Sequence, residues 1–286
     1  MKKSNSRITS RVQRNWDWRA AANFIGGGVG SGLIFWSVLL SPLGYDSLLL
    51  MLLGLALVGA GLFCVWLEIG RPWRALNVFK HMSTSWMSRE AMVAPLLFTA
   101  GAASWLFEPM LAWPTALLAI LFLYTQSRIL LADKGIPAWR HPRCAQLVIT
   151  TGMTEGCGLL LLALPLIDTH QPWSWAVMLI LLGLRALAWR HYRAGLKQTS
   201  APPACQKKFA AINPQFLWLG HIVPVILLAL AFIQAEAAML AGILAFGSGA
   251  WMKYILICKA SFIQGFNMPH LPVRGQPTPS RTVSAT

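Results

Sequence analysis

Eight apolar segments, each near the length needed to cross a bilayer, divide this chain, and nothing else constrains its fold as strongly. A spanning helix needs about 20 apolar residues, because hydrocarbon offers no partner to an unpaired backbone N–H or C=O. Such segments fall at roughly 20–40, 47–67, 90–107, 111–131, 145–167, 173–190, 214–233 and 237–258. Composition agrees: 56% of residues are hydrophobic and 12% are charged, against about 25% charged in soluble domains. The expectation is an all-α integral membrane protein, a bundle of about eight transmembrane helices with a short interfacial helix between the second and third. Residues 1–19 read as a cytoplasmic basic N-terminal segment, 20–260 as the eight-helix transmembrane domain and 261–286 as a cytoplasmic C-terminal tail. The first apolar run is too long, and followed by too many others, for a cleaved signal peptide.

Charge placement orients the bundle. With eight spans, the N-terminus, the second–third, fourth–fifth and sixth–seventh loops and the C-terminus share one side. All 24 Lys and Arg residues fall there. The opposite loops hold only Asp46, Glu108, Asp168 and Glu236. The positive-inside rule then puts both termini in the cytoplasm. A net charge of +15 would suggest nucleic acid in a soluble protein; here it serves orientation, no nucleic-acid partner is expected, and membrane lipid surrounds the chain. Trp105 with Trp113 and Trp173 with Trp175 flank the outer loops, while Trp16, Trp18, Trp86 and Trp139 lie near the inner face. That is the distribution of two aromatic belts. Lys253 and Lys259 are expected to snorkel to the inner surface.

The five cysteines, Cys64, Cys144, Cys157, Cys205 and Cys258, show no C-x-x-C spacing. Neither a disulfide framework nor a metal or cluster site is indicated, so any iron–sulfur centre belongs to a partner. A membrane b-type haem commonly takes two histidines from facing helices. His221 lies within a span, whereas His81, His141, His191 and His270 are interfacial or in loops and His170 is on the other side, so no haem is expected. The run Gly26-Gly-Gly-Val-Gly-Ser-Gly32 lacks the third glycine of a dinucleotide loop at its required offset, and no strand precedes it. Gly26/Gly30 and Gly28/Gly32 instead repeat at four residues, the spacing that lets membrane helices approach closely.

The polar stretch Glu68–Glu90 separates the second and third spans. Pro72 is placed to open a short helix. Within it Arg74, Asn77 and His81 share one side, and Leu76, Phe79 and Met82 another, so it should lie in the membrane surface with its apolar face down. Ser88 can cap a helix that begins with Arg89 and Glu90. Glu90 is then either a helix-start acid paired with a nearby Arg or a functional carboxylate. Glu155 sits near the middle of the fifth span, where an ionisable group is costly and usually has a partner or a task. Thr151, Thr154 and Gln126 could hydrogen-bond it as a protonated structural acid; the functional alternative is a proton path or a ligand-facing acid.

The stretch Glu68-Ile-Gly-Arg-Pro-Trp-Arg-Ala-Leu-Asn, followed by Thr84-Ser-Trp-Met-Ser-Arg-Glu90, resembles the membrane-anchor subunits of dimethyl-sulfoxide-reductase-type molybdoenzymes and their NrfD-like relatives. Those proteins typically carry Gly-x-Pro-x-Arg-Ala-x-Asn after the second span and Ser-x-Glu at the start of the third. The resemblance implies a multi-pass subunit of the bacterial cytoplasmic (inner) membrane that binds menaquinone or ubiquinone. It would exchange electrons with an iron–sulfur subunit, which in turn serves a molybdopterin catalytic subunit. It also implies that Glu68, Arg71, Arg74, Asn77, His81, Trp86, Arg89 and Glu90 line the quinone site, with Glu90 as the catalytic base; Glu68 stands where relatives often carry His. A carboxylate beside arginines can accept a hydroxyl proton, and Arg71, Arg74 and Arg89 would keep it ionised or dock an acidic partner. The alternatives are a secondary transporter, whose inverted repeats are not found, and a purely structural membrane anchor.

Overall fold

Each apolar segment becomes a helical rod, because hydrocarbon requires the backbone to satisfy its own polar groups. The computed structural model describes residues 10–40, 45–69, 72–164, 172–198 and 201–263. The rods are α1 (Trp18–Leu40), α2 (Tyr45–Trp66), α3 (Trp86–Leu106), α4 (Ala112–Ala132), α5 (Pro142–Ala163), α6 (Pro172–Leu196), α7 (Pro203–Leu230) and α8 (Ala237–Lys259). Seven are long and apolar enough to cross a membrane. The other, α3, has 21 residues, about 32 Å at 1.5 Å per residue, but carries Arg89, Glu90 and Pro95. The stretch Pro72–His81 is a 3-10 helix on which Leu76 and Phe79 are exposed, as is Met82 just after it, as an apolar underside in a membrane surface would be.

Three boundaries move from their sequence positions, each for a local reason. Ser85, not Ser88, caps α3, its side chain accepting from the Ser88 amide at 3.4 Å. The helix therefore starts at Trp86, and Glu90 enters the second turn. α6 runs two turns past its apolar window to Leu196. α7 starts at Pro203, inside the expected polar loop, because Cys205, Phe209, Ile212 and Phe216 form a buried stripe beneath exposed Lys207 and Lys208. Pro214 and Pro224 interrupt the ladder of α7, and the wide turn Trp218–Ile222 between them absorbs the break.

α1 and α5 form the centre, with α1 packed on α2, α4, α5 and α8, and α5 on α1, α4, α6 and α8. The glycine run supplies the approach on two faces. A Cβ at Gly26 would meet the Leu57 carbonyl of α2 at 2.7 Å, and one at Gly30 would run into the Gly54 carbonyl. From the other face, a Cβ at Gly32 would strike the Gly152 carbonyl of α5 and lie 3.1 Å from Gly156 Cα. The chain ends are stitched at the basic end: Val12 pairs with Phe262, the Gln13 amide donates to Ser261 O at 2.9 Å, and the Ile263 amide to Arg11 O at 2.8 Å.

Alternation of the rods gathers the described Lys and Arg residues at one end, with instructive exceptions. Arg185 and Lys253 are fully buried between helices, so Lys253 does not snorkel, whereas Lys259 is exposed beside the Tyr254 ring. Arg128 is partly buried, one turn inside the end of α4. Trp139 is also buried rather than part of an interfacial belt. It packs 4.9 Å from Trp16, and its indole donates to Leu256 O at 3.0 Å. Arg71, Asp168 and the segments 1–9 and 264–286 lie outside the described residues.

Gly156→Leu should lose at least about 1–3 kcal/mol, because backbone rather than a yielding side chain meets the new atoms. Gly183→Leu, at a position with open space around it, should be tolerated. Thermal unfolding of the purified variants in detergent checks both; equal midpoints would show that α1 and α5 can separate at no cost.

Candidate functional site

Two polar centres lie inside the bundle. The first is built on Glu90, brought into the interior by the early start of α3. Its residue is 6% exposed, and the side-chain amides of Gln126 from α4 and Asn23 from α1 lie against its carboxyl. Gln126 Nε2 donates to the Asn23 carbonyl at 3.0 Å. That fixes the orientation of the amide and leaves Gln126 Oε1 without a partner; Asn23 Oδ1 and Glu90 Oε1 likewise make no hydrogen bond of good geometry, although both amides lie close enough to act on the carboxyl. Buried oxygens without donors are uncommon, and here each of the three residues carries one.

Trp86 sits one helical turn before Glu90, the spacing that places side chains on one face. The guanidinium of Arg89 lies over its ring at 4.2 Å and that of Arg128 at 5.0 Å, while Tyr124 meets it edge-on at 5.8 Å. Arg89 does not pair with Glu90. It donates to the carbonyls of Met82 at 3.0 Å and Ser83 at 2.8 Å, closing the turn between the 3-10 helix and α3. Among the described residues the ion pairs are Asp17–Arg19 and Glu155–Lys253. The expected arginine clamp on Glu90 is therefore absent as far as Arg89 is concerned; Arg71 and the side chain of Arg74 lie outside the described residues. The surface-lying carboxylate expected at a helix start is instead a buried group facing amides.

The remaining sequence candidates are not part of this cluster. Asn77 and His81 are exposed on the 3-10 helix. Glu68 is half-buried at the end of α2, where Asp17 and Arg19 act on it. Burial pushes its carboxyl above the ordinary range, the Asp17 charge adds to this, and Arg19 opposes it. Arg19 also grips the Asp17 carboxylate at 2.8 Å, which holds that acid low, and reaches Leu67 O at 3.2 Å.

The second centre joins Glu155 of α5 to Lys253 of α8 at 2.5 Å, both side chains fully buried. Lys253 Nζ donates a further bond to Phe24 O at 2.9 Å. Gln126, taken up by Asn23, does not reach Glu155. Thr154 donates to Thr150 O at 2.7 Å, and Thr151 Oγ1 and Glu155 Oε1 have no partner. Arg185 of α6 lies close enough for its charge to act on Glu155 and Lys253. Its own donors go to Ala245 O at 2.8 Å, to the Gly220 carbonyl, to Ser248 Oγ at 3.5 Å and to His221 Nε2 at 3.2 Å. Because Nε2 accepts, His221 Nδ1 carries the proton and donates to Phe216 O at 3.0 Å. Both ring nitrogens are thus engaged by protein atoms.

Sequence reasoning missed Asn23, Tyr124, Arg128, Arg185 and Lys253 as site members. Arg185 and Lys253 had a signal available, an ionisable residue inside an apolar window. Asn23 and Gln126 had only their polarity at matching depths on different helices.

These features define a polytopic α-helical membrane protein with a buried carboxyl group near its basic end. The family model described as DMSO reductase anchor subunit (DmsC) matches residues 47–263, and the chain belongs to that family. No curated protein sequence matched the chain.

Removing one member of a buried ion pair leaves the other uncompensated, at a cost of about 3–5 kcal/mol. Glu155→Gln and Lys253→Met should each destabilise the assembled protein, and the double variant Glu155→Met/Lys253→Met should recover much of the loss. A double-mutant cycle on thermal midpoints reads the coupling; additive losses would mean that the 2.5 Å contact contributes nothing.

Proposed function

We propose that this chain is the quinone-reactive anchor of a molybdopterin oxidoreductase complex, passing electrons between membrane quinol and an iron–sulfur subunit, with Glu90 as the proton acceptor. The observation that carries the reading is the buried Glu90 carboxyl, whose Oε1 makes no hydrogen bond of good geometry, set against the Gln126 and Asn23 amides. Family membership supports the anchoring role.

A bound quinol supplies two electrons and two protons when oxidised. Glu90 Oε1 is the matching acceptor for the two hydroxyl protons in turn, passing the first to water before it takes the second, while both electrons leave for the iron–sulfur subunit. Gln126 and Asn23 offer amide groups to orient the oxygen beside it. Trp86 and Tyr124 give an apolar wall suited to a ring, stiffened by Arg89 and Arg128 stacked on the indole. The proton's exit is short, since Glu90 lies one turn inside the basic end of α3. If that end faces the cytoplasm, as the positive-inside rule indicates, electrons reach a cytoplasmic iron–sulfur subunit without crossing the bilayer. The released protons return to the same compartment, so this step builds no membrane potential. The clusters and molybdopterin reside on partner subunits; this chain holds neither role.

Glu90→Gln keeps the shape and removes the base, and should slow quinol-dependent turnover by about 10²-fold or more. Gln126→Leu should raise the KM for quinol. Turnover with a dye that feeds the partner subunits directly should be unchanged in both. Parent-like quinol activity in Glu90→Gln would leave a structural anchor.

Reporter fusions after Lys80 and Lys197 should both read cytoplasmic. A periplasmic signal at either would reverse the orientation and move the partner complex outside.

A further inference from the structure

The junction of α6 and α7 carries a cavity whose lining, among the described residues, holds no acid. It has a volume of about 450 Å³ and is lined, among the described residues, by Arg193, Lys197 and Lys207, with Gln206 beside them and an apolar floor of Pro203 and Ala210 above the buried Leu196 and Phe209. Three cations and one neutral amide around an apolar base describe an amphiphile with a negative head.

Its depth agrees. Arg193 is three residues from the end of α6 and Pro203 opens α7, so the cationic rim lies within about 5 Å of both helix ends at 1.5 Å per residue. That is the head-group layer at the basic end of the bundle. The first turn of α7 has no side-chain cap, and the positive end of its macrodipole adds to the attraction for an anion. Arg193 is also held in place. Its guanidinium lies over the Trp189 ring at 5.7 Å and donates Nη1 to Asn213 Oδ1, which takes the Trp189 indole N–H as well, at 2.9 Å. A cation immobilised by such contacts loses little freedom when it binds, whereas Lys197 and Lys207 are exposed and free to close over a head group.

We propose that this cavity binds the phosphate head group of an anionic phospholipid, with the first acyl methylenes on the floor of Pro203 and Ala210. Juxtamembrane clusters of Lys and Arg attract anionic lipid, and here the cluster surrounds a concave space rather than a flat surface. An acidic protein surface would meet the rim but leave the apolar floor unfilled, which favours lipid as the occupant.

The test is native mass spectrometry of the purified chain in detergent, titrated with phosphatidylglycerol or with phosphatidylcholine of the same acyl chains. The parent should retain phosphatidylglycerol in preference to phosphatidylcholine. Lys197→Gln/Lys207→Gln should weaken that retention roughly tenfold or more. Lys80→Gln/Lys134→Gln removes the same charge from exposed positions elsewhere at the basic end and should leave retention near the parent's. Equal weakening by both pairs would reduce the effect to net charge and overturn the site. Displacement of the lipid by an equal concentration of inorganic phosphate would make it a simple anion site and overturn the lipid assignment. Unchanged lipid retention in Lys197→Gln/Lys207→Gln, with loss of co-purifying partner subunits, would reassign the rim to protein docking.

Discussion

The structure depends on helix α1 being thin where its neighbours touch it. Four helices crowd around it, and ordinary side chains would hold them at the usual 8–10 Å separation. Gly26 and Gly30 turn bare backbone toward α2, while Gly28 and Gly32 turn it toward α5. The glycines between these contacts do something further. A Cβ at Gly27 would occupy the place of the Gln126 amide, and one at Gly28 the place of the Lys253 ammonium. Both side chains can therefore reach the backbone of α1 and bond the consecutive carbonyls of Asn23 and Phe24. A carbonyl oxygen has two lone pairs, so it can serve the helix ladder and a side chain together. The same five residues that let the helices close also admit the polar groups that define both centres.

Around Arg185, polar accounting is nearly complete. Arg185 finds four acceptors on two helices, and one of them, the Gly220 carbonyl, belongs to the wide turn that accommodates Pro214 and Pro224. Helical irregularity is put to similar use at the end of α8, where the wide turn Ile255–Lys259 offers Leu256 O to the Trp139 indole and Ile257 O to Gln13 and Ser261. Against this background the three unpartnered oxygens of Asn23, Gln126 and Glu90 form a cluster. Among the described residues, unpartnered polar atoms also occur elsewhere, at Ser31, Arg128, Thr151 and Glu155, but three of the seven gather around Glu90, one from each of three helices.

The sequence made the eight rods legible because apolar length is a property of each segment alone. It also made the glycine register legible, since a four-residue repeat of Gly has few uses in a membrane helix other than close packing. It was less informative about pairings. The local motif drew Arg89 and Glu90 together as neighbours, but adjacent residues on a helix point about 100° apart, and here one faces the turn and the other the interior. Lys253 read as a snorkelling residue because its distance from the chain's polar tail suggested an easy route to water; a carboxylate 98 residues away in sequence overrode that. Asn23, Gln126 and Glu90 come from three helices, and nothing within any one of them announces the other two.

The buried ion pair also has a consequence for how the chain is made. Glu155 belongs to the fifth rod to leave the ribosome and Lys253 to the eighth, so the carboxyl group enters the membrane well before its counter-charge exists. Phe24 O, on the first rod, waits longer still. Completion of α8 therefore acts as a latch: the ammonium group closes on α1 and α5 together, and the antiparallel bridge between Val12 and Phe262 fastens the outer ends. A chain stopped before α8 would leave Glu155 within the bilayer with Arg185 nearby but without its ion-pair partner.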